Sequence, residues 1–406
     1  MKKWAIAAFG LVFFAGAALL FTASAPSAEK PCGNVSYIVG KATVTHNGKT
    51  AALDMDSPIY ANDLVKTSDK SKVEIKPNKS TGFSGTIRVA ANTSFYFKLS
   101  DVKGEPASTL DLMAGQVGMK VAKLAGAPSA QVRTDTAACG VRGTDFEVTV
   151  TLTGSLLVTC DEGEVGCLGI DGDEEAVGPN STGGMAAQRD EGGSFQAVDV
   201  GKATLAELRD RWSNEKLTVL RANPRKAMAQ LAGLYLKNKP AFDKSFDPLE
   251  KSAAFARWMK EDADPNFKPN VRSAQTLKDL KEVDKPILAM RKELMFLERY
   301  VYRLEGFRSI VEGSAEFDQP LADAKGAAIL DDSGKPMTAR LFYKRFDRER
   351  TELLRRIGMF RYAERLHSKR NPSGATGRVG SDTEAGGDFF GDDSGQESSD
   401  DFFSAD

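Results

Sequence analysis

Histidine is almost missing from this chain: His46 and His367 are the only two in 406 residues. That removes most imidazole chemistry, whether general base catalysis or metal ligation. No glycine-rich phosphate loop opens a helix, and no nucleophile–base arrangement stands out, so the chain reads as non-enzymatic with no cofactor. Cysteine is scarce as well, with four residues (Cys32, Cys139, Cys160 and Cys167), all in the N-terminal half. Net charge is nearly absent, with 55 basic against 56 acidic residues, which argues against a polyelectrolyte partner for the chain as a whole.

What is present begins with a leader. Lys2-Lys3 precede an apolar run from Trp4 to Phe21, followed by small residues that include Ala23-Ser24-Ala25. Residues 1–28 therefore read as a cleavable signal peptide, the alternative being an uncleaved anchor. Either way the folded part is expected in the periplasm or cell envelope, where thiols oxidise. Glu29-Lys30-Pro31 before Cys32 do not form a lipidation site. Four cysteines in an exported β-rich segment read as two disulfides with three possible connectivities. A hairpin over 158–168 would bring Cys160 near Cys167, and Cys139–Cys160 is equally open. Zinc is disfavoured by the spacing.

From Val35 to Val198 apolar and polar residues alternate in short runs between Gly, Asn, Asp and Ser clusters. At least eight strands follow, and residues 35–200 are expected to be an all-β sandwich or roll. Within it Phe146, Val148, Val150 and Leu152 alternate with Glu147, Thr149 and Thr151, and the turn Thr153-Gly154 leads into a second strand. Gly140 and Gly143 flank Val141-Arg142 and allow a sharp bend; the Arg142 guanidinium is expected to pin it by binding loop carbonyls or a carboxylate, the alternative being a ligand handle. Asp171-Gly172-Asp173-Glu174-Glu175 lacks the ordered ligand pattern of a calcium loop and reads as a solvated turn.

The block T-D-T-A-A-C-G-V-R-G-T-D-F at 134–146, with Gly140, Val141, Arg142, Gly143, Thr144 and Phe146 at its heart, resembles the FecR-like periplasmic domain family. The resemblance extends in order through V-G-K-A-T-V at 39–44, N-D-L-V-K-T at 62–67, A-N-T-S at 91–94, L-D-L-M-A-G-Q-V at 110–117 and the E-G-E-V turn at 162–165. Asn62 stands where the family usually has glycine; Asn also tolerates a left-handed backbone, so the turn should survive. The resemblance implies a role in relaying signals in the envelope, in the best-known members from an outer-membrane receptor to a cytoplasmic sigma factor. Only Met1-Lys2-Lys3 precede the apolar run here, so direct anti-sigma action is not expected.

Residues 202–370 carry 36 basic and 25 acidic side chains and change to a helical period. Pro240, Pro248, Pro265 and Pro269 are expected to separate short helices. Leu280, Val283, Ile287, Met290, Leu294, Leu297, Val301 and Leu304 form a heptad seam that Pro286 should kink or divide. A last helix is expected from about Met337 to Lys369, paired antiparallel with the seam helix, or alternatively joined with a second copy in a homodimeric coiled coil. This last helix is strongly basic. Arg345, Arg348, Arg355 and Arg356 lie off its apolar stripe and offer a face for an acidic partner such as peptidoglycan, an anionic lipid or another anionic polymer, or for this chain's own acidic tail folded back onto it. Nucleic acid is disfavoured by the compartment.

Residues 371–406 carry one basic and nine acidic side chains and few aliphatics, and are expected to be a disordered acidic tail. Phe389-Phe390 and Phe402-Phe403, each in acidic surroundings, read as short binding motifs. The expected protein is multidomain, an all-β FecR-like domain followed by an all-α domain and a tail. Its expected function is a non-enzymatic envelope scaffold that binds protein partners, the alternative being a sensor of peptidoglycan or another anionic polymer, or a regulator in a signalling relay.

Overall fold

The computed structural model describes residues 30–46, 49–99, 108–122, 130–141, 143–190, 193–264, 267–312, 314–323 and 325–371. The leader, the Asn47-Gly48 turn, Arg142 and the tail with its four phenylalanines lie outside these residues.

The N-terminal part is all β. Its strands are β1 (Gly33–Val39), β2 (Ala42–His46), β3 (Lys49–Ala52), β4 (Pro58–Ile59), β5 (Leu64–Thr67), β6 (Lys72–Pro77), β7 (Gly85–Val89), β8 (Ser94–Leu99) and β9 (Ser108–Val121). Then come β10 (Ala130–Arg133), β11 (Ala137–Val141), β12 (Asp145–Val150), β13 (Leu156–Glu162), β14 (Val165–Gly169), β15 (Glu174–Val177), β16 (Ala186–Arg189) and β17 (Gln196–Ala197).

Pairing sorts them into two layers. One runs β4-β1-β6-β7-β9-β12-β13-β16-β17. The other runs β3-β2-β5-β8-β9-β10-β11-β14-β15, with β9–β10 its one parallel pair among the described residues. Alternation decides what fills the space between them: Val73 and Ile75 of β6, Phe95 and Phe97 of β8, and Phe146 and Val148 of β12 are all fully buried.

Strand β9 belongs to both layers, and Gly115 is where it crosses. Residues up to Ala114 pair with β8 in one layer, and Gly115 to Val121 pair with β12 and β7 in the other. Gly115 has φ 96°, and a Cβ there would lie 2.4 Å from Thr93 Oγ1 and 2.5 Å from Thr93 Cα. The obstacle includes backbone and cannot swing away.

The expected 158–168 hairpin does not form. The chain turns a corner at Gly163 (φ 82°), so that β13 lies in one layer and β14 in the other. Gly143 makes the matching corner between β11 and β12, and the two corners touch: a Cβ on Gly163 would sit 2.8 Å from the Gly143 carbonyl oxygen. Cysteine placement is a consequence. Cys139 and Cys167 are direct partners across β11–β14, with sulfurs 2.6 Å apart and both side chains buried. Cys160 instead turns its thiol to the carbonyls of Glu162 and Gly163. Burial pushes the Cys160 thiol up to about 12 and raises the Cys167 thiol as well, so direct pairing across β11–β14, not thiol acidity, singles out Cys139 and Cys167.

The C-terminal part is helical: α1 (Leu205–Ala222), α2 (Pro224–Glu250), α3 (Ala253–Asp262), α4 (Ala274–Glu312) and α5 (Ala339–Arg370). All eight seam positions of α4 are buried, at 2% exposure or less, and they pack against α2 and α5 of the same chain. Helices α4 and α5 are antiparallel, because Asp284 pairs with His367, Arg291 with Glu364, and Glu298 with Arg361.

Proline divides these helices less than expected. Helix α2 continues through Pro240 and Pro248, and α4 through Pro286. A helix-interior proline costs about 3 kcal/mol. In α2, however, Tyr235, Phe242, Phe246 and Leu249 are fully buried, each contributing about 1.5–3 kcal/mol, and that packing outweighs the lost backbone bonds.

Two outcomes are expected. Gly115→Ala should destabilise the chain by about 2–4 kcal/mol, measured by denaturant unfolding, since it adds left-handed strain to a backbone clash. A two-electron thiol oxidant such as diamide should give a single intramolecular link, Cys139–Cys167, with loss of two hydrogens. Peptide mapping without reduction reads this out, and recovery of both cysteines in alkylated form would contradict it.

Candidate functional site

The FecR-resembling segments place their charged residues on the outer face of the second layer, where α4 lies against them. Asp111 of β9 accepts from Arg299 Nη2 at 2.6 Å, and is also paired with Lys98 (2.9 Å) and Arg133 (3.3 Å). Asp135, in the turn between β10 and β11, receives both terminal nitrogens of Arg303 at 2.7 Å. The side chains of Arg299 and Arg303 are each 1% exposed, those of Asp111 and Asp135 4% and 8%. Around these pairs, Lys66 of β5 donates to Glu305 at 2.8 Å, and the hydroxyls of Tyr96 and Tyr302 approach to 3.4 Å. Arg361 of α5 stacks over the Tyr96 ring and pairs with Glu298.

Burial alone would push both aspartate carboxyls up. The opposing cations win: Lys98, Arg133 and Arg299 hold Asp111 well below the usual carboxylate range, and Arg303 lowers Asp135. A carboxyl lowered in the folded state contributes stability that is complete above its unfolded value. That contribution declines as pH falls below the unfolded value and is gone once pH has fallen through the folded value, so at neutral pH it is complete.

A second contact clasps the other layer. Trp212 of α1 donates its indole N–H to Gln188 at 2.6 Å, and Arg209 reaches Glu147 and Thr159. The helical part therefore grips both layers.

The block at 134–146 thus contributes Asp135 to the seam, while Phe146 fills the β core and Gly140, Val141, Gly143 and Thr144 build the corner described above. Residues 63–166 match the family model described as FecR protein. The chain carries a FecR-like domain. No curated protein and no solved structure matches the chain. The FecR match supports an envelope-related regulatory role. Asn62, immediately before the matched region, has φ 64°, so it takes the left-handed turn expected of it.

Where the FecR domain meets α5 there is a narrow cleft lined by Asn62, Asp63, Tyr96, Arg361, Tyr362 and Arg365. It encloses about 30 Å³, room for one or two waters rather than a sugar ring. No group of His, Cys, Asp or Glu among the described residues is arranged to hold a metal, and no described helix is long and apolar enough to cross a membrane. At the Asp171–Asp173 turn the balancing cation is Arg189, fully buried and bonded to Asp171 at 2.6 Å and Asp173 at 3.0 Å.

The basic face of the last helix is different from expectation. Arg345 pairs with Asp332 and Glu349, Arg355 with Glu250 and Glu352, and Arg356 with Glu352, Asp243 and Asp247. Of the four arginines singled out in the sequence, Arg348 alone is exposed with no ion pair among the described residues. The acidic partners of this face come from the same chain, half of them from α2 and the rest from α5 itself and the loop before it.

Sequence reasoning missed Asp111, Asp135, Arg299 and Arg303. Two signals were available: Asp111 interrupts a buried apolar strand, and Arg299 and Arg303 stand four apart beside a heptad seam. Arg303→Ala leaves Asp135 buried without its guanidinium and should cost about 3–5 kcal/mol in denaturant unfolding. The double variant Asp135→Asn/Arg303→Met should cost clearly less than the sum of its single variants. Strict additivity would contradict a coupled pair.

Proposed function

We propose that this protein is a non-enzymatic envelope docking protein in which a FecR-like domain and a helical domain act as one unit on protein partners. The observation that carries this reading is the buried Asp111–Arg299 and Asp135–Arg303 seam, which couples the two parts rather than leaving them on a hinge. A coupled pair presents a fixed surface, as a scaffold or a signal-relay component requires. Export through residues 1–28 is part of the proposal, and it fits the envelope association of FecR domains.

The alternative, a reader of peptidoglycan or anionic lipid through the last helix, has less support. Arg345, Arg355 and Arg356 are already neutralised within the chain, and breaking those pairs would offset most of what an anionic polymer gains.

The test is fractionation of intact cells with crosslinked co-purification of the full chain. Recovery in the envelope fraction with a reproducible protein partner, lost from the Asp135→Asn/Arg303→Met variant, which removes the charges of one pair together and remains folded by circular dichroism, is the expected result. Salt-sensitive binding to isolated peptidoglycan that Arg348→Glu abolishes would favour the alternative.

A further inference from the structure

A cluster of cations that the helical domain leaves unpaired lies at the end of it where the described chain stops. Lys260, Lys268, Arg272, Lys278, Lys281 and Lys285 are exposed and make no ion pair among the described residues. Lys278, Lys281 and Lys285 recur at helical spacing, so they form one stripe on the outer face of α4. Most acids nearby are engaged elsewhere. Asp279 is held by Arg257, Asp284 by His367, Glu261 by Arg370 and Asp262 by Arg365 and Lys369. Glu282, itself exposed, accepts from the Ser252 hydroxyl and the Ala254 amide, and Asp264 is exposed at the margin. Beside the stripe two large apolar side chains stand in solvent, Phe267 at 39% and Leu277 at 40% exposure.

The exit of the chain makes this surface specific. Helix α5 ends at Arg370, whose guanidinium sits 4.8 Å from the Trp258 ring and 5.9 Å from the Phe267 ring. Asn371 therefore emerges beside the exposed phenylalanine. The C-terminal segment that begins there, residues 371–406, has a net charge of −8 and carries Phe389-Phe390 and Phe402-Phe403. We propose that this surface is the docking site of the chain's own acidic C-terminal segment, with its phenylalanine pairs against Phe267 and Leu277 and its carboxylates on the α4 lysine stripe.

Reach does not limit the contact. The link from Asn371 to Phe389 spans at most about 60 Å when extended, while Lys278 to Lys285 cover about 10 Å of helix. Tethering supplies an effective concentration of about 1 mM, so a motif with a dissociation constant of about 100 µM is bound roughly ten to one. The α5 arginines are poorer receptors, because Arg345, Arg350, Arg355, Arg356, Arg361 and Arg370 are already paired with carboxylates of the same chain. The consequence is a masked surface: an external acidic partner must displace the segment. Both halves of the contact belong to this chain, so it holds whether or not the docking reading above does.

The experiment is zero-length carbodiimide crosslinking of the full chain at low salt, with peptide mass mapping. Expected links join Lys268, Lys278, Lys281 or Lys285 to acids between Asp388 and Asp401. Their yield should be independent of protein concentration and fall about tenfold in 0.5 M salt. The same fall is expected when all four tail phenylalanines are changed to serine. Links made instead to Lys344 or Lys369, links found only between isotopically distinct copies in a mixed sample, or no links at all would each overturn the proposal. Unchanged yield in the serine variant would overturn the part assigned to the phenylalanine pairs. Lys278, Lys281 and Lys285 are exposed, so K278E/K281E/K285E is expected to fold, and retention of tail links to the remaining lysines at full yield would also count against it.

Discussion

The interaction on which the molecule depends is a pair of buried aspartates met by two arginines one helical turn apart. Asp111 and Asp135 come from different parts of the FecR-like domain, and Arg299 and Arg303 from α4. Removing four such side chains from water is costly, and the cost is offset only where geometry is close and further donors are present. Lys98 and Arg133 supply that second ring around Asp111, and the bidentate fork of Arg303 does the same for Asp135. Specificity results from the cost, since any other seating of α4 strands these charges.

That seating is possible because of how the β domain is built. Strand β9 changes layer at Gly115, so its first half, with Asp111, presents an outer face to α4 while its second half holds β12. The corners at Gly143 and Gly163 stack on one another and fix β10–β11, and with them Asp135. The most family-like stretch of the chain therefore acts first as architecture. Its contribution to function is the position it gives an acidic side chain.

Charge in the helical domain is redistributed rather than displayed. By sequence α5 is the basic element, yet folding places α2, α3 and α4 acids against it, and an exposed excess is left on the first turns of α4. Exposed ion pairs are individually weak. A network of them nonetheless decides which surface still attracts an anion.

The sequence alone determined the elements and their class. Period-2 alternation marked the β domain, the 3–4 spacing of Leu280 to Leu304 marked the α4 seam, and Asn62 could be read as a left-handed turn, because each depends on residues within a few positions of one another. Tertiary structure decided what those elements meet. Pro240, Pro248 and Pro286 look like helix breaks until the aromatic packing that overrides them is known. Cys139 faces Cys167 because two glycine corners send β13 and β14 to different layers, where a hairpin reading would have paired Cys160. Arg299 meets Asp111 across 188 positions of sequence, and no local pattern encodes so distant a partner. Local periodicity is written in neighbours, while charge pairing is settled only when the layers close.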